Sequence, residues 1–443
     1  MDTSIDLVKG KVLRVLILFS IPFLFSNIFQ QLYNMIDTFI VGNALDESAL
    51  AAIGACGAIY ELLVGFAVGI GNGLSIIVAK YFGAGDEKMV RKSVGAAIII
   101  GLIVTVVLMI FSVTLLYPML NLLNTPADII DEAYSYIGII GIFVGVMLAY
   151  NLLAGFLKAI GNSFMPLVFL IISTVINIIL DYIFIVNLGI GIKGAAIATV
   201  LAQLISAVLC GVFIYKKYRY ILPDKEDMKV DRQLYGELWA QGLSMGFMSS
   251  IVSIGTVVLQ YSINGLGTMI IAGHTAARKI FAFSTLPITT LGMSITTYVS
   301  QNKGAGKKDR ILKGAKYANV MTTVWSIIAA VILIPFSEIL VRLLSGSENT
   351  EVLTNGSNYL KFNVLFYIPL GILINMRCIL QGIGYKILPL ISSIIELLGK
   401  VVFTFLLIPT LNYTGVIICE PVVWCLMAIQ LTVSFYRNRY IRD

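Results

Sequence analysis

Long apolar runs separated by short polar stretches recur along the whole chain. Each run reaches the ~20 residues that a helix needs to cross the hydrocarbon of a bilayer. On that rule, spans are predicted over 14–43, 49–79, 93–117, 132–157, 166–187, 194–215, 236–262, 269–299, 315–344, 356–380, 387–409 and 415–436, twelve in all. Several exceed the minimum, so some must tilt, bend or project, and Pro22 is a candidate bend in the first. The alternating pattern of a transmembrane barrel is missing from these runs. Helices satisfy their own backbone groups in lipid, which leaves them as the spanning elements.

The pattern also repeats. "YFGAGDEKMV" at 81–90 matches "NKGAGKKDRI" at 302–311, with Gly83 and Gly304 offset by 221 residues. "GFLKAIGNSFMP" matches "CILQGIGYKILP", Pro166 to Pro389 being 223, and "GAAIAT" from Gly194 echoes "GVIICE" from Gly415 at 221. Each half holds six spans, an even number, so both halves start on the same side of the membrane. The expectation is an all-α integral membrane protein built as two parallel, pseudosymmetric six-helix lobes, an architecture of secondary transporters. The lobes are expected at 1–222 and 223–443, joined by the charged stretch 216–233.

Composition agrees. Of 443 residues 58% are hydrophobic and 12% charged, against about 25% charged in a soluble domain. The net charge of +7 acquires a meaning from its placement. With the N-terminus in the cytoplasm, 25 of the 31 Lys and Arg lie on that side, the signature of both termini being inside. Basic charge is then a topology signal, and no nucleic-acid partner is expected. The N-terminal apolar run is too long for a signal peptide and is expected to stay as the first helix. The five cysteines read as small buried hydrophobes. No GxxxxGK[ST] loop is present to run an ATP motor. One histidine and no HExxH or GxSxG argue against an intramembrane enzyme.

An ionised carboxylate in lipid costs several kcal/mol, so it should face a partner or a wet cavity. Asp37, Glu61, Asp181 and Glu396 lie well inside spans, and Glu420 lies near a span end. At ~1.5 Å per residue, Asp37 and Asp181 both sit ~9 Å from the outer ends of their helices and Thr199 ~8 Å. Asn177 is one turn from Asp181 on the same face, and Gln30, Tyr33 and Asn34 share the stripe of Asp37. Asp37, Asn177, Asp181 and Thr199 offer hard oxygen donors that suit Na⁺. Burial beside a like charge also favours the protonated carboxyl, so the same group suits H⁺. Gln30, Tyr33 and Asn34 are candidate substrate contacts. The competing reading makes Asp181 and Asn177 simple helix–helix bonds, although two ionised acids at one depth repel. Glu396 and Lys400 read as a self-neutralising i,i+4 pair, and His274 with Arg278 as a packing or hydrogen-bonding pair. Some of the 21 Tyr, 23 Phe and 15 Met could line a cavity for flat cations.

The motifs "NMIDTFIVG", "ALAAIG", the two "GAG" loops, "LKAIGNSFMP", "INIILDYIFI" and "GIKGAAIAT" together resemble the multidrug and toxic compound extrusion (MATE) family over nearly the whole length. The resemblance implies two six-helix lobes around a V-shaped cavity. It also implies export of small-molecule drugs, often cationic and aromatic, in exchange for H⁺ or Na⁺, without a cofactor. Asp37, Asn177, Asp181 and Thr199 match the N-lobe cation site of the DNA-damage-inducible and archaeal-type branch, and Pro22 matches the bend of its first helix. A second branch carries acids in helices seven and ten. Here, past Glu237, neither span has one, so coupling is expected to rest on the N lobe. The resemblance places the protein in a bacterial inner membrane, as a monomer among lipids. The alternative within the wider superfamily is a flippase for a lipid-linked precursor, which would favour a strongly cationic cavity.

Overall fold

The computed structural model describes residues 4–45, 47–123 and 125–442. Every regular element among them is helical. The order is α1 (Val12–Ala44), α2 (Glu47–Gly83), α3 (Glu87–Leu122), α4 (Ile130–Ile142), α5 (Val144–Ala159), α6 (Phe164–Asp181) and a π-helical segment Tyr182–Asn187. After it come α7 (Ile192–Lys217), a 3₁₀ turn Arg219–Ile221, α8 (Arg232–Asn264), α9 (Thr268–Gly304), α10 (Lys308–Ser345), α11 (Thr350–Val364) and α12 (Tyr367–Ile383). The chain closes with α13 (Ile387–Val402), a second π segment Phe403–Leu407, α14 (Ile408–Leu411), α15 (Tyr413–Tyr436) and α16 (Arg439–Arg442).

Ten helical stretches are long and apolar enough to cross a bilayer one by one, and the bent pairs α4–α5 and α11–α12 bring the number to twelve. Each predicted span falls inside one of these. Most observed helices overrun the predicted ends by several residues, because polar termini such as Lys80 and Glu87 continue the helix beyond the apolar window. Along α3 the buried positions Ile100, Val104, Leu108, Ser112, Leu116 and Leu120 recur every four residues. Leu102, Val106, Ile110 and Val113 are exposed on another face. Apolar residues thus cover both the packed side and the exposed side, as a helix in lipid requires and a helix in water does not.

Two irregularities are copied between the halves. The α4–α5 pair bends by 45° at Phe143, and the α11–α12 pair by 57° at Leu365–Phe366. Phe143 (φ −100°, ψ 16°) and Phe366 (φ −102°, ψ 12°) have nearly the same backbone. Pro369, in the first turn of α12, accounts for the second break because it cannot donate to the preceding turn. The first lies among Gly138, Gly141 and Gly145. Likewise the π segments follow α6 and α13 at corresponding places, Tyr182 and Phe403 being 221 residues apart. By contrast α1 runs through Pro22 as one helix, with the Ser26 hydroxyl donating to the Pro22 carbonyl at 2.9 Å.

The chain divides into two compact units. One comprises Ile17–Ser250, Ser300–Gly306 and the N-terminal residues through Val8; the other comprises Lys9–Leu16, Ile251–Val299 and the residues from Lys307 on. The division between the units passes through α1, α8 and α9. In the first unit, one core gathers Leu74, Ile77, Val94, Ile100, Leu148 and Phe156. Another gathers Val41, Ala52, Cys56, Tyr136 and Ile185. Cys56, Cys210 and Cys419 are buried, Cys378 and Cys425 half-buried, and all five are free thiols.

The linker is tied down locally. Arg91 Nε donates to Asp227 Oδ2 at 2.8 Å, and the Asp224 backbone N–H donates to the same oxygen at 3.2 Å. Burial pushes the Asp227 carboxyl up, but Arg91 and the Asp224 N–H outweigh it and hold the group below its ordinary value of 3.8. The stabilisation is therefore present above that value and lost as pH falls through the depressed one. Asp227→Asn is expected to speed amide hydrogen exchange over residues 219–231 at pH 7. The two proteins should converge only in acid below the ordinary carboxylate range. Equal exchange at pH 7 would show that Arg91 does not anchor the linker.

Candidate functional site

Three helices of the first unit, α1, α6 and α7, bring the polar residues of the sequence pattern together. Asp181 is the last residue of α6 before the chain widens into the π segment, a helix form frequent at functional sites. Asn177 lies one turn earlier, and both side chains are fully buried. The carboxyls of Asp37, on α1, and Asp181 are within hydrogen-bonding reach of each other. Tyr33 and Thr199 are buried, and the Tyr33 hydroxyl donates to Thr199 Oγ1 at 3.0 Å. Tyr33 is thereby tied to Thr199, a member of the candidate cation site. Gln30 is half-buried and Asn34 exposed.

Both oxygens of Asp181, Oδ1 of Asp37 and both amide atoms of Asn177 are buried without a hydrogen-bond partner. Buried polar atoms are normally paired, and leaving one unpaired costs ~1–3 kcal/mol. Two ionised carboxylates cannot bond each other. A proton held between them, or a cation taking oxygens from Asp37, Asn177 and Asp181, would supply what is missing. The donor set is all hard oxygen, so it fits Na⁺ or H⁺. Among the described residues no group of three His, Cys, Asp or Glu side chains is placed to hold a metal ion.

The pattern did not single out Tyr60 on α2 or Tyr136 on α4, yet both lie within electrostatic range of Asp37. Each looks like ordinary aromatic packing in sequence, and only the folding of α2 and α4 against α1 brings them near. Glu61, the neighbour of Tyr60, is exposed.

In the second unit, Glu396 and Lys400 pair at 3.0 Å as their spacing predicts. Arg377 of α12 joins them at 3.6 Å. One acid is thus shared by two cations. The i,i+4 partners His274 and Arg278 turn to other helices. His274 Nδ1 lies 3.2 Å from the Tyr413 hydroxyl. Arg278 Nη1 donates to Glu420 Oε2 at 2.8 Å and to the Tyr359 hydroxyl at 3.1 Å, and Tyr359 in turn donates to Glu420 Oε2 at 2.8 Å.

A membrane protein of two repeated six-span halves, with acids buried in one half, has the build of a secondary transporter. The profile of the MatE family matches twice, over residues 22–183 and 245–406, which start 223 residues apart. The chain belongs to this family, whose members are transporters and not enzymes. Among similar proteins, the probable multidrug resistance protein YoeA of Bacillus subtilis is 25% identical over 398 residues, 88% of this chain and 86% of that protein. An FAD transporter of Shewanella oneidensis is 24% identical over 433 residues, 96% and 94% of the two. The structure of a multidrug resistance MATE family transporter in an outward-facing conformation superposes with a TM-score of 0.90 at 22% identity, covering 99% of this chain and 98% of that one. Twelve helices in two six-span halves are thus the family's fold.

Proposed function

We propose that this protein is a secondary active exporter of small-molecule drugs, driven by exchange with H⁺ or Na⁺ at Asp37, Asn177, Asp181 and Thr199. The observation that carries the reading is the group of buried, unpartnered oxygens shared by α1 and α6. In this reading, the empty acidic site attracts a cationic drug to the same unit. A cation from outside neutralises the carboxylates, the attraction falls, and the drug leaves. The Tyr33–Thr199 bond holds α1 against α7 beside the acids, so a change at Asp37 is felt along α1. The uneven distribution of Lys and Arg supports a bacterial plasma-membrane location with both termini in the cytoplasm. Relatives named for multidrug resistance support drugs as cargo. The relative named for FAD indicates that cargo in this family extends beyond cations.

Purified protein in liposomes, with pH and Na⁺ gradients imposed separately, tests the proposal. At least one gradient should drive ethidium transport, and dissipating it with an ionophore should stop the movement. Ethidium flux indifferent to both gradients would remove the coupling.

A further inference from the structure

The second unit holds charge of the opposite sign. Inside its spans, Arg278 pairs with Glu420, and Arg377 and Lys400 both pair with Glu396. Three cations against two acids leave an excess of positive charge. A small, solvent-open cleft lies beside Arg278, with Leu259, Ile263 and Val416 as apolar wall and Tyr359 and His274 as rings.

The way Arg278 is held decides what the pocket offers. Its side chain is 35% exposed, whereas that of Glu420 is 9% exposed and lies behind it. Arg278 makes its protein hydrogen bonds through Nη1. Its guanidinium lies over the Phe281 ring at 4.9 Å, and Phe281 stacks on Trp424 at 5.7 Å. The group is therefore fixed in place with donors to spare, the condition under which arginine recognises planar oxyanions. Thr256, also in the pocket wall, accepts from Lys400 Nζ at 3.4 Å. A second cation thus stands behind the same wall.

We propose that this pocket is a subsite for the carboxylate or phosphate end of an aromatic organic anion, with Arg278 as the binding group. Tyr359 and Glu420 position the guanidinium, and the apolar wall takes the body of the ligand. The subsite extends the substrate range to organic anions and zwitterions. It stands without the cation-coupled reading, because binding is measured with no gradient present.

Two xanthene dyes of similar shape and opposite charge test it: fluorescein, anionic, and rhodamine 6G, cationic. Fluorescence anisotropy with the purified full chain should show both bound at pH 7.5. Arg278→Gln should weaken fluorescein at least tenfold, about 1.4 kcal/mol, and leave rhodamine 6G within twofold, while Arg278→Lys should lose less. Because Arg278→Gln leaves Glu420 unpaired, the double variant Arg278→Gln/Glu420→Gln provides a neutral pair and should show the same selective loss. A purely structural ion pair would weaken both dyes alike, and that result, or no fluorescein binding by the unaltered protein, overturns the proposal. If neither variant folds, photolabelling of the unaltered protein with 4-azidobenzoate decides. Label on the peptides carrying Thr256–Arg278 or Val416–Glu420 supports the subsite, and label confined to other peptides overturns it.

Discussion

Replacing Asp181 by Asn should lower ethidium efflux from cells at least tenfold, while the protein stays folded. One charge moving through 100 mV contributes about 2.3 kcal/mol, more than a tenfold concentration ratio. A neutral amide of the same shape keeps the packing of α6 and cannot carry that charge. Asp37→Asn should have the same effect. The double variant should be no worse than either single, because the two carboxyls form one site and residues acting as a unit are not additive. Stability gives the second readout. Two carboxylates in contact repel, so removing one should leave the melting temperature in detergent unchanged or higher. Lost transport with a lower melting temperature would instead mark Asp181 as a helix-bonding residue. Unaltered efflux at normal expression would remove Asp181 from the mechanism.

Local, periodic features were legible in the sequence. Twelve spans follow from the lengths of apolar runs, and the duplication follows from the "GAG" loops and their constant offset. Asp37, Asn177 and Asp181 stood out because charge in an apolar run demands an explanation. Their meeting could be argued from depth, since helices in a bilayer share one frame of reference. The bends at Phe143 and Phe366 were invisible, because the chain is apolar on both sides of each break and hydropathy has no angle in it. The π segments were equally silent. Pairs far apart along the chain were also beyond reach: Arg278 and Glu420 are 142 residues apart, and spacing alone pointed Arg278 at His274. Arg377 drew no attention in the sequence, because it lies near the end of an apolar run and has no charged partner at helical spacing. Half-buried beside Glu396, it turns a neutral Glu396–Lys400 pair into a cationic cluster.

The two glycines of each "GAG" loop should behave differently, although the motif makes them look alike. A Cβ on Gly304 would overlap the carbonyl oxygen of Lys80, and one on Gly83 would overlap that of Gln301. Gly306 has φ +69° and open space around it. The first glycine lets the end of α9 lie directly on the end of α2, where Ser300 Oγ donates to the Ile76 carbonyl at 2.6 Å and Gln301 Nε2 to the Ala159 carbonyl at 2.7 Å. The second only turns the chain. A methyl group at Gly304 meets backbone, which cannot rotate away as a side chain can, so the helices must part and those buried bonds must stretch. Overpacking of yielding side chains already costs ~1–3 kcal/mol. Gly304→Ala should therefore exceed that range, lowering the melting temperature sharply and efflux more than tenfold. Gly306→Ala strains one residue in the left-handed region, at ~1–2 kcal/mol, and should keep efflux within about threefold of normal, since a cost of this size leaves most of a stable protein folded. Melting curves and ethidium efflux on both variants, with Gly83→Ala as the repeat-related control for Gly304→Ala, check the difference. Equal, mild effects at Gly304 and Gly306 would mean that α2 and α9 do not need to approach so closely.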